Sequence, residues 1–184
     1  MTRIVAGTAG GQRLQVPAKG TRPTSERVRE ALFSHLDHLG YTDGTLVLDL
    51  YAGSGALGLE AVSRGAARAV LVESARGAAA ACRANAASTQ LADRVRIRSV
   101  PVQRYLAGPP PAEPFDLVLC DPPYADETTD EVLTALTAQG WLAGDALVVV
   151  ERDVRSPAPV WPAGWQEQPA RRYGETAIHL ARTP

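Results

Sequence analysis

The chain has 184 residues, of which 45% are hydrophobic and 21% are charged, values that exclude a disordered or collagen-like protein. No apolar run approaches the roughly 20 residues of a membrane span, and the first residues lack the apolar stretch of a signal peptide. Two cysteines, Cys82 and Cys120, are too few for a disulfide framework. We therefore predict a soluble, cytoplasmic protein with reduced thiols.

The net charge is only −1, but basic and acidic residues are unevenly distributed. Residues 1–30 hold six basic and two acidic side chains, whereas residues 31–150 hold eight basic and fourteen acidic ones. A basic segment on an acidic body favours a polyanionic partner that meets one face of the protein, although a charged, solvated terminus would give the same count. The six basic residues are Arg3, Arg13, Lys19, Arg22, Arg27 and Arg29.

The first 40 residues predict a small hairpin followed by a helix. Segments 4–7 and 12–16 flank a Gly-Gly turn, and Thr24 can cap a helix that runs to about Leu36. In this helix Arg27 and Arg29 lie away from the predicted buried face. That face consists of Val28, Ala31, Leu32, His35 and Leu36. We interpret residues 1–40 as a basic extension and residues 41–184 as the main domain.

Residues 41–184 alternate short apolar runs with helical stretches, the pattern of stacked βαβ units. The order predicts an α/β fold in which strand 95–99 lies nearer the sheet edge and strand 146–150 lies at or near the centre. The last two strands, joined through Tyr173-Gly174, would form a hairpin. The predicted strands are 45–50, 69–73, 95–99, 115–120, 146–150, 166–171 and 176–180, and the predicted helices are 56–63, one ending near 87, and 129–138.

A glycine-rich turn after the first of these strands is the first chemical signal. Gly53, Gly55 and Gly58 match G-x-G-x-x-G, and Glu73 follows twenty residues after Gly53. Such glycines let the backbone approach a ligand, and a carboxylate at the end of the next strand can bind two ribose hydroxyls. The pattern predicts an adenosine cofactor without separating a nicotinamide dinucleotide from others. The plain alternative is a glycine turn that binds nothing.

Asp49 favours a cationic cofactor over a dinucleotide. It lies four residues before Gly53 and points toward the loop, where a pyrophosphate would bring a second negative charge. S-adenosylmethionine carries an ammonium and a sulfonium, so the same carboxylate would favour it. A carboxylate that only caps loop amides is the alternative.

The sequence Asp121-Pro122-Pro123-Tyr124 directly follows strand 115–120 and is the sharper signal. Ligands of open α/β sheets bind at the carboxyl ends of strands, and a tyrosine held beside two prolines can stack on a planar base. The Asp121 carboxylate and the Pro122 carbonyl can accept hydrogen bonds from an exocyclic NH2. Two fixed acceptors would stabilise the positive charge that develops on this nitrogen during methyl transfer.

The glycine motif with Asp-Pro-Pro-Tyr resembles S-adenosylmethionine-dependent methyltransferases that act on exocyclic amines. Segments 3–7 and 22–33, together with the ending 172–176, narrow the resemblance to the bacterial small-subunit ribosomal RNA guanine-N2 methyltransferase family (the RsmD type). The resemblance implies a Rossmann-like, seven-stranded, mostly parallel sheet with an antiparallel last strand. It also implies a guanine substrate in 16S rRNA, on an assembled or assembling small subunit.

The resemblance implies direct methyl transfer, with the guanine flipped out and stacked on Tyr124 and its amine held by Asp121 and Pro122. The six basic residues of the extension would bind RNA phosphates. Such enzymes often carry an acidic or amide residue after the third strand, but this chain has Ser99-Val100-Pro101, so a backbone contact near Val102 would hold the adenine. The expected cofactor residues are Asp49, Tyr51, Gly53, Gly55, Gly58, Glu73 and Val102.

Other readings stay open on the sequence. Asp-Pro-Pro-Tyr also fits methylation of adenine N6 or of a glutamine amide, although the basic extension disfavours the latter. From another class, the glycine loop could hold NAD in an oxidoreductase, or the protein could bind RNA without catalysis. We expect no metal, because neither cysteine has zinc-site spacing, and we expect a monomer. His35 is interpreted as a packed core histidine.

Overall fold

The computed structural model describes residues 2–17, 25–123, 128–138 and 140–184. In these ranges the chain forms a two-stranded sheet and a seven-stranded sheet flanked by helices. The strands are β1 Thr2–Arg3, β2 Arg13–Leu14, β3 Leu46–Leu50, β4 Arg68–Val72, β5 Val95–Arg98, β6 Phe115–Cys120, β7 Leu142–Asp153, β8 Gln166–Tyr173 and β9 Thr176–Arg182. The α-helices are α1 Glu26–Leu39, α2 Ala56–Ser63, α3 Arg76–Ser88, α4 Val102–Leu106 and α5 Thr129–Ala138.

The large sheet has the order β5-β4-β3-β6-β7-β9-β8. Strands β3 to β7 pair in parallel, and β9 runs antiparallel to both of its neighbours, β7 and β8. This confirms the predicted seven-stranded, mostly parallel sheet with an antiparallel last strand. The predicted edge strand β5, the nearly central strand β7 and the β8–β9 hairpin are confirmed as well.

Helices cover both faces of the sheet, as the apolar runs of its strands require. Val47, Leu117 and Leu147 face a buried cluster that includes side chains of α1, α2 and α3. The residues that follow them, such as Leu48 and Val118, face a second cluster with α4 and α5, because successive strand residues point to opposite faces. None of the helices in the described parts of the chain is long and apolar enough to cross a membrane.

The amino-terminal segment packs on the first of these clusters. Its strands are only two residues long, shorter than predicted, and Ile4 and Leu14 are buried with Leu32 of α1. The N-cap of α1 is Ser25, whose hydroxyl accepts the backbone N–H of Val28, and not Thr24, which lies outside the described residues.

The buried face of α1 differs from the predicted one. The fully buried residues are Val28, Arg29, Leu32, Phe33 and Leu36, whereas Ala31 and His35 are only half-buried. His35 is therefore not a core histidine; its Nδ1 lies 3.2 Å from the Arg171 guanidinium on β8. The hydrophobic pattern missed Arg29 because an arginine is buried only where a partner for its charge exists elsewhere in the fold.

That partner is Glu60 of α2, a carboxylate with no solvent exposure. Glu60 Oε2 lies 3.5 Å from Arg29 Nε and accepts the backbone N–H of Val5 at 2.7 Å. Its Oε1 accepts the N–H of Ala6 at 3.0 Å and the Arg64 Nε–H at 2.7 Å. One buried carboxylate thus joins α1, α2 and the amino-terminal segment.

Arg29 is therefore not an RNA-binding residue, and that prediction was wrong. Its guanidinium also donates to the backbone carbonyl of Arg3, and its exposed fraction is 0%. Burial lowers the pKa of Arg29 from its usual value, and the negative charge of Glu60 opposes this effect. A side chain held in this way cannot reach a phosphate in solution.

We expect Glu60→Gln to destabilise the fold by roughly 3–5 kcal/mol, because it leaves the Arg29 charge buried without its counter-charge. Urea unfolding measures the change. Asp37→Asn is the matched control, because the Asp37 carboxylate also binds Arg64 but is exposed. This substitution should alter the free energy of unfolding by at most about 1 kcal/mol. Equal effects of the two substitutions would contradict the structural role of Glu60.

Candidate active site

Four parallel strands of the sheet, β3, β4, β5 and β6, end side by side at their carboxyl ends. Leu50, the last residue of β3, pairs with Val72 of β4 and with Cys120 of β6, and Val72 pairs with Arg98 of β5. The next residue of each strand therefore stands in the same row. These residues are Tyr51, Glu73, Ser99 and Asp121. The register thus brings the glycine loop, the predicted ribose carboxylate and the start of the Asp-Pro-Pro-Tyr motif to one place.

The loop from β3 to α2 depends on a strained turn and on close packing. Tyr51, Gly53 and Gly55 have φ values of 63°, 56° and 80°, in the left-handed region that glycine tolerates best. A Cβ on Gly58 would lie 2.7 Å from the Leu71 side chain and 3.0 Å from Asp49 Oδ2. The glycines therefore allow both the turn and the close contact of α2 with β4.

Glu73 bonds to the glycine loop itself. Its Oε2 accepts the Gly53 N–H at 2.9 Å, and its Oε1 accepts the Ala75 N–H at 2.7 Å. Glu73 is half-buried, and an ionised carboxylate can accept about four hydrogen bonds. The two amide contacts leave acceptor capacity for a ligand while they fix the position of the carboxylate.

Asp49 lies beneath the loop with an exposed fraction of 1%. Its Oδ2 accepts the Gly58 N–H at 2.8 Å, so it caps a loop amide, which was the alternative role for this residue. Its Oδ1 is buried and has no hydrogen-bond partner in the described parts of the chain. Burial raises the pKa of Asp49 to about 7; the Gly58 hydrogen bond opposes this rise and the negative charge of Glu73 adds to it.

Two side chains of α3 also hold the loop, and the sequence analysis assigned neither of them a role. Cys82 Sγ lies 3.1 Å from the Gly53 carbonyl oxygen, and Asn85 Nδ2 donates to the Ser54 carbonyl at 2.9 Å. Burial raises the pKa of Cys82 to about 12, so the thiol keeps the proton that it donates. The signal that could have found them is the spacing of two polar residues one turn apart on an alanine-rich helix.

The Asp-Pro-Pro-Tyr motif is described only in part. Asp121 is half-buried, and its backbone N–H donates to the Leu50 carbonyl at 3.4 Å, which ties the motif to the strand before the glycine loop. Pro122 is buried and Pro123 is exposed. Tyr124 lies outside the described residues, so its stacking role stays a prediction.

The predicted adenine contact lies at the start of α4, a helix that the sequence analysis did not predict. Val102 is its first residue and is buried, whereas Ser99 is exposed. Gln103 of the same helix donates to the Thr128 hydroxyl at 3.0 Å, which joins α4 to the segment before α5. The adenine contact of the Val102 backbone stays a prediction.

The predicted RNA-binding residues fall into three groups. Arg3, Arg13 and Arg27 are exposed, and Arg3 forms an ion pair of 3.0 Å with Glu26. Lys19 and Arg22 lie outside the described residues. Arg29 is buried, as shown above. Among the residues that the structure describes, no cluster of three or more histidine, cysteine or acidic side chains could hold a metal ion.

Comparisons with known proteins give this arrangement a context. The model of the family described as "Conserved hypothetical protein 95" matches residues 2–182. Ribosomal RNA small subunit methyltransferase D of Escherichia coli K12 is 38% identical over 179 residues, which cover 97% of this chain and 88% of that protein.

Solved structures agree with the family match. The E. coli protein yhhF is 37% identical, with a TM-score of 0.88 over 99% of this chain and 97% of that one. An RNA methyltransferase of Salinibacter ruber, solved with S-adenosyl-L-homocysteine, is only 18% identical to this chain. The superposition covers 88% of this chain and 94% of that one, with a TM-score of 0.65. The second likeness concerns the fold alone.

The raised pKa of Asp49 predicts a pH-dependent stability. Folded Asp49 keeps its proton up to about pH 7, whereas an unfolded aspartate ionises near pH 4, so the free energy of unfolding falls as the pH rises between these values. Asp49→Asn removes this contribution. The difference in the free energy of unfolding, variant minus wild type, should rise by up to roughly 3 kcal/mol from pH 5 to pH 8. Urea unfolding without cofactor measures it. Parallel pH profiles for the two proteins would show that Asp49 is ionised in the free protein.

Proposed function

Because the chain belongs to the "Conserved hypothetical protein 95" family, to which the small-subunit ribosomal RNA methyltransferases of the RsmD type belong, we propose that it methylates the exocyclic N2 of a guanine in 16S rRNA. The proposed methyl donor is S-adenosylmethionine. The observation that carries the proposal is the strand register, because it aligns Asp121 with the residues that begin the glycine loop and with Glu73.

The residues at this edge fit the proposed donor. Glu73 keeps acceptor capacity for two ribose hydroxyls, and the left-handed backbone at Gly53 and Gly55 makes the tight turn by which the loop can approach a ligand. The Asp49 Oδ1 is buried and has no hydrogen-bond partner in the described chain, so it can accept a hydrogen bond from a ligand. A cationic amino acid group nearby would favour the ionised form of Asp49, which burial alone disfavours.

S-adenosylmethionine supplies an activated methyl group when it is bound. The protein's part is to hold the acceptor nitrogen, and we assign this to the Asp121 carboxylate and the Pro122 carbonyl. Both accept hydrogen bonds from the NH2 group, so they orient the nitrogen and stabilise the positive charge that develops on it. Asp121 need not be a strong base, because the nitrogen is positively charged once the methyl group has arrived and then loses its proton readily.

The other site residues position the two ligands. Tyr124 stacks on the flipped guanine, and the Val102 backbone contacts the adenine of the donor. Exposed Arg3, Arg13 and Arg27, with Lys19 and Arg22, bind RNA phosphates without reading the sequence. Residues 1–40 thus act as an RNA-binding extension of a methyltransferase domain at 41–184. We propose that the enzyme works as a cytoplasmic monomer on the assembled or assembling small subunit and needs no metal.

The test of the reaction is incubation with labelled S-adenosylmethionine and small ribosomal subunits that lack the modification, followed by nucleoside analysis. We expect labelled N2-methylguanine. Asp121→Ala should reduce turnover by roughly a hundred- to a thousandfold, because it removes a charge stabiliser, while S-adenosylhomocysteine affinity stays within a few-fold. Asp93→Ala is the control. Asp93 is exposed and precedes β5, so it lies by the amino-terminal ends of the parallel strands, away from the candidate site at their carboxyl ends.

Each part of this test can fail separately. If the labelled product is N6-methyladenine, the substrate is an adenine and not a guanine. Near-normal turnover by Asp121→Ala on saturating subunits would remove Asp121 from the mechanism. Binding of NAD without any binding of S-adenosylhomocysteine would overturn the proposed donor.

The RNA-binding role of the extension predicts weaker binding by the double variant Arg13→Ala, Arg27→Ala. The slope of log K against log salt concentration is negative, and each lost phosphate contact should make it less steep by up to about one. Co-sedimentation with small subunits at several salt concentrations measures this. Arg68→Ala, Arg182→Ala is the charge-matched control, because both arginines lie outside the extension and pair with exposed carboxylates. Identical losses in the two double variants would point to net charge and not to the extension.

A further inference from the structure

Asn85 of α3 connects two parts of the molecule that the proposed function uses separately. Its side chain has no solvent exposure. Oδ1 accepts the backbone N–H of Gln15 at 2.8 Å, and Nδ2 donates to the carbonyls of Gln15 and Ser54, both at 2.9 Å. The amide orientation is unambiguous, because a flipped amide would set its oxygen against two carbonyl oxygens.

The two bonded segments belong to the two proposed binding functions. Gln15 follows the exposed Arg13 by two residues and precedes Lys19 by four, so it lies within the basic extension. Ser54 lies between Gly53 and Gly55, in the loop that would bind the donor. A single planar side-chain amide therefore contacts the backbone of the RNA-binding extension and the backbone of the cofactor loop.

The contact on the loop side is placed where a ligand would affect it. The Gly53 carbonyl faces Cys82 and the Ser54 carbonyl faces Asn85, so two successive peptide groups are turned toward α3. In a trans peptide the N–H points away from the C=O, so the Ser54 N–H points away from α3. A ligand that fixes these peptides also fixes the amide that holds Gln15.

We propose that Asn85 is a positioning residue that couples occupancy of the glycine loop to RNA binding by the amino-terminal extension; this inference rests on the proposed function. A donor that favours one position of the Ser54 peptide favours the matching position of the Asn85 amide and of the Gln15 backbone, so RNA that binds the extension in that position binds more tightly. Coupling of this kind is reciprocal: RNA strengthens donor binding by the same factor.

The remaining contacts of the extension allow Asn85 to be tested without losing the fold. Glu60 holds Val5 and Ala6, and the Ser63 hydroxyl accepts the Ala9 N–H at 3.0 Å, all on α2 and all independent of Asn85. Asn85→Ala breaks both ends of the bridge. Gln15→Pro removes the N–H donated to Asn85 Oδ1 and fixes the φ of residue 15, so it breaks one of the two hydrogen bonds between Asn85 and this residue. It leaves the Asn85–Ser54 hydrogen bond intact.

The experiment measures binding only. Co-sedimentation gives the affinity for unmodified small ribosomal subunits with and without saturating S-adenosylhomocysteine, and calorimetry gives the affinity for S-adenosylhomocysteine alone. In the wild type we expect S-adenosylhomocysteine to tighten subunit binding by about five- to tenfold. In Asn85→Ala and Gln15→Pro the factor should fall below about two, and Gln15→Pro should bind S-adenosylhomocysteine alone with wild-type affinity.

The control is Ser88→Ala. Ser88 is exposed and its hydroxyl donates to the backbone carbonyl of Asn85 at 3.1 Å, so the substitution changes the same helical turn but keeps the Asn85 side-chain amide, and it should keep the coupling factor of the wild type. The coupling role of Asn85 is overturned if S-adenosylhomocysteine does not tighten subunit binding by the wild type. It is also overturned if Gln15→Pro shows the same tightening as the wild type. If Asn85→Ala does not fold, Gln15→Pro decides. Failure of the wild type to bind small subunits at all contradicts the proposed function and this inference with it, whereas binding without coupling contradicts this inference alone.

Discussion

The buried carboxylate of Glu60 is the contact on which the arrangement of this protein depends. It lies one turn into α2, the helix that begins at the glycine loop, and it binds Arg29 of α1 and the amides of Val5 and Ala6. The fit there is close, since a Cβ on Gly7 would lie 1.9 Å from the Ser63 carbonyl oxygen. The helix that shapes the candidate donor site therefore also holds the basic extension.

The candidate site is shaped by the protein before any ligand arrives. Glu73 accepts a backbone N–H of the loop and Asp49 accepts one of α2, while Cys82 and Asn85 donate to two carbonyls of the loop. Loop conformation is therefore set by side chains of β3, α3 and the end of β4. Such preorganisation reduces the rearrangement that ligand binding requires.

Sequence reasoning was accurate for elements with a long, strong local pattern. Helices 56–63 and 129–138 and strand 115–120 have the predicted bounds, because each is bounded by clear turn residues and has a strong apolar pattern. Helix α4 was missed because five residues are too few to show helical periodicity. On α1 the predicted face included the half-buried Ala31 and His35 and missed the buried Arg29 and Phe33. Arg29 reads as a surface residue until Glu60 is placed beside it.

The sequence by itself determined the α/β order of elements, the glycine loop with Glu73, and the Asp-Pro-Pro-Tyr motif after β6, because short-range patterns encode all three. The tertiary structure alone decided which arginine of the extension is buried, that Asp49 both caps Gly58 and keeps one oxygen without a hydrogen bond, and that Asn85 touches both Gln15 and Ser54. These contacts join residues 9 to 70 positions apart in the chain, and pairing at such separations follows from packing, which no local pattern records.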